Sequence, residues 1–202
     1  ERNLLGFKDG TNNIKAQDTA DFDEFVWVGD ETDQPWMRGG SYLVSRRIRM
    51  HIESWDTDYL ADQQNVIGRF KVSGAPLSSK NPSEKNEFDT VNLSAKQSNG
   101  NPVIPERAHI RLASPLTNGN QKILRRGYSF TDGIDQTTGL LDAGLFFIAY
   151  QKDPHRQFVR IQTRLGAHDN LNEYIRHNGS ALFAVPPGLP GPGDYYLQAL
   201  FR

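Results

Sequence analysis

The chain has 202 residues, 37% of them apolar, with 23 basic against 24 acidic side chains and a net charge of -1. That is enough chain for one or two packed domains, and the balanced charge leaves no basic footprint for nucleic acid. It contains no cysteine, which excludes disulfides, iron–sulfur clusters, Cys-type zinc sites and any thiolate-ligated or thioether-linked cofactor, and no apolar run approaches the length of a membrane span.

The chain opens at Glu1 without Met and reaches a Gly-rich segment within five residues. Such a start is expected of the C-terminal half of a longer protein, with any export signal in the other part. By composition, residues 6–13 form a turn. Glu24-Phe25-Val26-Trp27-Val28 reads as a short strand. Gly39-Gly40 then leads into a longer strand over 41–53. Its apolar positions Tyr42, Val44, Ile48, Met50 and Ile52 are interrupted by Arg46, Arg47 and Arg49. Residues 56–67 suit a helix, capped by Thr57 or Asp58 and stopped by Gly68. From 69 to 107 the chain is polar and aperiodic, with Pro76, Pro82, Pro102 and Pro105. A loop of that length inside a compact domain points to a functional or surface excursion.

Short strands are expected over 109–112 and 124–130, and the most apolar strand over 140–151. Pro154 suits the first turn of a helix running to Leu165, because Phe158, Ile161 and Leu165 fall at i, i+3 and i+7. A short helix over 170–177, a strand over 180–185, a Pro/Gly-rich connector over 186–193 and a terminal helix over 195–201 follow. Interspersed helices and hairpin-like strands define an α+β sandwich with an antiparallel sheet.

Chemistry is concentrated at three places. Asp9 stands in Gly6-Phe7-Lys8-Asp9-Gly10, where glycines let the backbone turn tightly and approach a flat ligand closely, although Asp-Gly also forms ordinary Asx-turns. His109 lies in Ala108-His109-Ile110-Arg111-Leu112. It has no partner His or carboxylate at zinc spacing, so a metal reading requires a cofactor that supplies the other ligands itself. Arg125 heads the pair Arg125-Arg126 in Leu124-Arg125-Arg126-Gly127-Tyr128. His51, His155, His168 and His177 sit in polar or alternating contexts that suggest no ligand set.

These segments, together with Arg47-Ile48-Arg49-Met50, Gly68-Arg69, Gly74-Ala75-Pro76-Leu77 and Ala113, are similar to the dye-decolorizing peroxidases. Within that family the chain most resembles the exported bacterial group that includes the deferrochelatase/peroxidases. The resemblance runs the length of the chain and corresponds to the second of two ferredoxin-like halves, of the dimeric α+β barrel type. It implies a haem-binding C-terminal domain over 1–202, with one haem b per chain.

By position, the resemblance makes His109 the proximal iron ligand, Asp9 the distal acid–base residue and Arg125 the distal arginine. Gly10, Thr11 and Asn12 would border the haem beyond the aspartate, and Ser114, Pro115 and Leu116 beyond the ligand. Arg69 would pair with a propionate, although Phe70-Lys71-Val72-Ser73 departs from the more polar run usual there. Asp142 would accept the other ring N–H of His109, and Leu145 and Phe147 would wall the distal side.

The implied partners are hydrogen peroxide and an organic reductant, with dyes, phenols or porphyrins as substrates. The N-terminal half of the same protein, iron-uptake components and a further copy in a homo-oligomer are the implied protein partners; nucleic acid and a membrane span are not. Localisation would be extracytoplasmic. A carboxylate shuttles protons at lower pH than an imidazole, so an acidic optimum is expected. Electrons from bulky reductants would enter through surface-reachable aromatics, with Trp27, Trp36, Trp55 and the tyrosines as candidates. Two other readings stay open: a haem-binding protein that releases iron to an uptake system, and a cofactor-free fragment.

Overall fold

The structure, a computed structural model, describes residues 2–81, 86–189 and 191–201. Pro82, in the expected loop, lies outside the described residues.

The first helix, α1 (Thr19–Phe25), replaces the strand expected over 24–28. Phe22, Phe25 and Val26 fall at i, i+3 and i+4, and together they bury against Ile14, Leu124 and Tyr150. Helical spacing therefore outweighs the local β-propensity of Phe-Val-Trp-Val.

Strand β1 (Ser41–Met50) ends three residues earlier than expected, where His51 leaves the strand conformation and α2 (Ile52–Trp55) begins. The reason is Trp55, which is fully buried. Its ring meets Phe7 edge-on at 6.1 Å and Tyr174 at 4.8 Å, and its Nε1–H donates to the Leu5 carbonyl at 3.0 Å. Trp55 is thus a core residue that ties the N-terminal loop to the domain. It is removed from the set of surface electron-entry candidates, whereas Trp27 is substantially exposed.

Helix α3 (Leu60–Ile67) starts after Tyr59 rather than at Asp56 and closes at Gly68, whose φ of +92° is open to glycine at little cost. A Cβ at Gly68 would lie 2.6 Å from Ile110 Cγ1, so the glycine also sets the close approach of the next helix. That helix, α4 (His109–Ala113), stands in place of the expected strand. Ala108 and Leu112 are both buried, and the Leu112 N–H donates to the Ala108 carbonyl at 3.2 Å, which closes a helical turn.

The remaining elements are β2 (Leu124–Arg125), β3 (Tyr128–Ile134), β4 (Leu141–Gln151), α5 (Arg160–His168) and β5 (Ile175–Val185). A wide turn, His155–Val159, feeds α5. The helix expected over 170–177 shrinks to a 3-10 turn, Asn170–Glu173, and β5 takes up the rest. The terminal helix likewise reduces to a 3-10 turn, Gln198–Leu200.

The sheet runs β2–β4–β1–β5, with β3 continuing along the same edge of β4 as β2, and every pairing is antiparallel. Taking β2 and β3 as one interrupted edge strand, this is the ferredoxin-like order. Register places Arg46 opposite Phe147 and Ile48 opposite Leu145. Those four side chains share one face of the sheet. Arg47 and Arg49 point to the other face, where Asp132, Asp142 and Asp135 pair with them.

Candidate functional site

A cleft of about 640 Å³ separates one sheet face from the helices and the N-terminal loop. Its floor carries Arg46 and Ile48 of β1, Leu145 and Phe147 of β4, and Ile175 and His177 of β5. The opposing wall carries His109 and Ile110 of α4, with Ile161 and Leu165 of α5. The expected periodicity of Phe158, Ile161 and Leu165 thus serves the cleft, which all three line. The long irregular segment contributes Phe88, Asp89, Thr90 and Val91, so the loop does help build the site. Volume and apolar lining match a small-molecule or cofactor site, for which ~300–1,000 Å³ is usual.

The N-terminal loop brings its aspartate to this cleft by several anchors. Gly6 adopts φ +83°, and a Cβ there would meet Lys71 Cε at 2.5 Å. Arg2 ties the loop down by donating to the carbonyls of Gly6, Lys71 and Val72. The Asp9 Oδ1 accepts the Gly10 N–H at 2.7 Å and lies 3.6 Å from Arg125 Nη1. Asn13 clamps the partner strand: its Oδ1 accepts the Arg125 N–H at 2.9 Å, and its Nδ2 donates to the Arg125 carbonyl at 2.8 Å. Asn13 escapes a reading of the sequence, because an amide a few residues beyond a functional loop carries no motif.

His109 begins α4 and reaches the cleft from the other side. Its ring Nδ1 lies 2.6 Å from Asp169 Oδ2. The Asp169 side chain is only 3% exposed, and its Oδ1 accepts the Leu171 N–H at 2.9 Å. With both oxygens engaged, the carboxylate holds the imidazole in one orientation. Donation from Nδ1–H leaves Nε2 as the lone-pair nitrogen, on a residue that borders the cleft.

Asp142, expected to hold His109, does not. It sits on the outer face of the sheet and accepts from Arg47 Nη2 at 2.9 Å. The physical reason is strand parity: Leu145 and Phe147 face the cleft, so residue 142 of the same strand faces away.

Of the other residues expected here, Thr11, Asn12, Ser114, Pro115, Leu116, Leu145 and Phe147 line the cleft. Gly10 serves through its backbone, with φ +73° and its N–H on Asp9. Arg69 also lines it, but its Nη1 donates to the Gly74 and Glu87 carbonyls. Burial, reinforced by the nearby Arg125 charge, pulls the Arg69 guanidinium down to about 10. Arg69 therefore props the loop that follows it.

The ferredoxin-like domain thus presents a carboxylate-braced imidazole and an aspartate–arginine pair to one cleft. The family model described as Dyp-type peroxidase, C-terminal, matches residues 1–189. A dye-decolorizing peroxidase of Thermobifida fusca is 48% identical over 193 residues, covering 94% of this chain and 43% of the relative. A deferrochelatase of Escherichia coli K12 is 38% identical over 203 residues, covering 99% and 46%. The crystal structure of a DyP-type peroxidase from Streptomyces coelicolor superposes with a TM-score of 0.92 at 43% identity, covering 100% of this chain and 53% of the other. The chain belongs to the Dyp-type peroxidase family and spans about half the length of the relatives it matches. No helix among the described residues is long and apolar enough to cross a membrane.

Proposed function

We propose that this domain binds haem b and reduces hydrogen peroxide, oxidising an organic donor. The observation that carries the reading is the shared cleft, with His109 braced by Asp169 on one wall and Asp9 beside Arg125 on the other. Related structures support the cofactor: an oxyferrous complex from Streptomyces lividans at 43% identity and a Rhodococcus jostii variant in complex with heme at 25%. The donor set fits the group, since a single neutral imidazole suffices where a porphyrin supplies the remaining ligands.

Haem, when bound, supplies the iron at which peroxide is reduced. His109 would hold it through Nε2, and the Asp169 carboxylate would strengthen that nitrogen as a donor by taking the Nδ1 proton in a hydrogen bond. Asp9 accepts the peroxide proton at Oδ2, because Oδ1 is already engaged by the Gly10 N–H, and delivers it to the leaving oxygen. The Arg125 guanidinium offsets the negative charge that develops as the O–O bond breaks. The sheet residues Leu145 and Phe147 exclude water from the same space.

The test is a haemin titration of the purified chain followed by peroxide-dependent oxidation of a dye. Saturation at one haemin per chain and turnover are expected; failure to bind would sink the reading. Asp169→Ala should weaken haemin binding by about 10- to 100-fold, the usual effect of losing a ligand's outer partner. An unchanged affinity would mean that Asp169 neither orients His109 nor strengthens it as a ligand.

A second reading, haem-iron release, is favoured by the deferrochelatase relatives. It is separated by following the fluorescence of metal-free porphyrin, which appears only when iron leaves an intact ring. We also propose that the domain works outside the cytoplasm beside an N-terminal half, and the exposed Leu182 and Phe183 of edge strand β5 suit such a neighbour.

A further inference from the structure

Helix α5 borders two cavities. Its Ile161 and Leu165 line the cleft, whereas Arg160, Thr163, Arg164 and His168 line a separate groove of about 380 Å³, completed by Thr117 and Asn118. Among the described residues no carboxylate lines this groove. Arg160, Arg164 and His168 recur every four residues, with no acidic residue between them. Like charges at that spacing repel along a helix. Arg156, just before α5, pairs with Asp153 at 3.5 Å, but among the described residues no carboxylate pairs with Arg160 or Arg164.

Both arginines are held in place by the chain around them. The Arg164 Nη1 donates to the Thr117 carbonyl at 2.6 Å. A Cβ at Gly119 would fall 3.0–3.1 Å from Nη2, Cζ and Nη1 of Arg160, so this glycine, at φ +64°, lets the guanidinium lie flat against the backbone. Arg107 adds a further positive charge at the same end, its Nε donating to the His168 carbonyl at 2.9 Å. Guanidiniums held one turn apart are matched by an oxyanion, and their planes also stack on aromatic rings. The groove has room for a small aromatic molecule, at the low end of the ~300–1,000 Å³ usual for ligand sites.

We propose that this groove binds an anionic aromatic electron donor, a ring bearing a sulfonate or carboxylate, an assignment that rests on the peroxidase reading of the cleft. The two cavities share α5 and the 3-10 turn Pro115–Thr117 as walls, and His168 directly precedes the Asp169 that braces His109. A donor seated in the groove is about one helix diameter, 10–12 Å, from the cleft, a distance that electrons cross without the donor entering it. Two donors in turn each lose one electron and one proton, which together reduce one hydrogen peroxide to two waters.

The experiment titrates the chain, with and without saturating haemin, with naphthalene-2-sulfonate and its neutral sulfonamide, reading the heat of binding. The sulfonate should bind alike in both states, and the sulfonamide about 10-fold more weakly, the combined worth of two solvent-screened ion pairs. Exchanging both arginines for glutamine, Arg160→Gln with Arg164→Gln, keeps good helix formers and should weaken sulfonate binding by the same factor of about 10. In the haemin-loaded chain this variant should raise KM for a hydroxynaphthalene sulfonate about 10-fold, with kcat and the KM for neutral naphthol unchanged. Loss of sulfonate binding when haemin fills the cleft would place the anion in the cleft and overturn the groove. So would equal binding of sulfonate and sulfonamide to wild type, a comparison that needs no variant to fold. Displacement by equimolar inorganic sulfate, or an unchanged KM in a variant that binds sulfonate weakly, would overturn the aromatic donor. Sulfonate binding to a chain that takes up no haemin would instead overturn the haem reading, and the donor assignment with it.

Discussion

Replacing His109 with alanine is expected to abolish stoichiometric haemin binding, lowering affinity by more than the ~10- to 100-fold that loss of an outer partner produces. Removing the ligand itself must exceed the effect of removing the group that orients it. The variant should fold. The His109 side chain is 32% exposed and stands at the first position of α4, where little packing depends on it. Asp169 keeps the Leu171 N–H on Oδ1 but loses its partner on Oδ2, a cost of about 1–3 kcal/mol for a buried acceptor left unmade. Added imidazole should restore the Soret band, because the cavity left by the side chain opens onto a cleft already carrying the remaining lining. Binding that is indifferent to the substitution, with no imidazole effect, would mean that iron is held elsewhere or that the porphyrin is only stacked against Phe147 and Phe158.

The same residues show how much of the site is legible without the fold. Asp9 and Arg125 can be read because each sits in a compact local pattern, and the fold brings them to 3.6 Å. The partner of His109 cannot, since Asp169 lies sixty positions away and looks in the sequence like an ordinary cap. Asp142 fails on a criterion the sequence does contain. A strand that sends Leu145 and Phe147 to the cleft must send residue 142 to the opposite face, so the two assignments are incompatible from the start.

Parity also resolves β1, where three arginines in a short stretch look like a single broken alternation. Two are neutralised on the outer face and one is delivered to the cleft. The elements that differ from expectation are those in which tertiary burial overrides local preference. Around His109 the alternation of polar and apolar residues suggests a strand, yet the segment closes a helical turn, with the Leu112 N–H on the Ala108 carbonyl and Leu112 buried. At 24–28 the β-rich run starts in the last turn of a helix, whose aromatic stripe begins at Phe22, and leaves the helix at Val26. The antiparallel α+β architecture survives these local differences because the long strands β1 and β4 carry most of its pattern.

Asp9→Asn is expected to reduce peroxide turnover by about 10²- to 10⁴-fold, the usual contribution of a positioned acid–base group, while haemin affinity stays nearly unchanged. The amide preserves size and can still accept the Gly10 N–H, so the turn that presents residue 9 should persist. What it removes is an oxygen able to take and return a proton. Turnover lost while haemin affinity is kept distinguishes loss of proton transfer from a general distortion of the cleft. Arg125→Met should also slow turnover, through lost charge stabilisation and not through proton transfer. Because the two groups lie 3.6 Å apart and address the same peroxide, the double variant should lose much less than the product of the single losses. Strictly multiplicative losses would show that Asp9 and Arg125 contribute independently and do not act as a unit. If Asp9→Asn lowered haemin affinity and turnover in equal measure, the aspartate would be a binding residue only, and the proton would have to travel by another route.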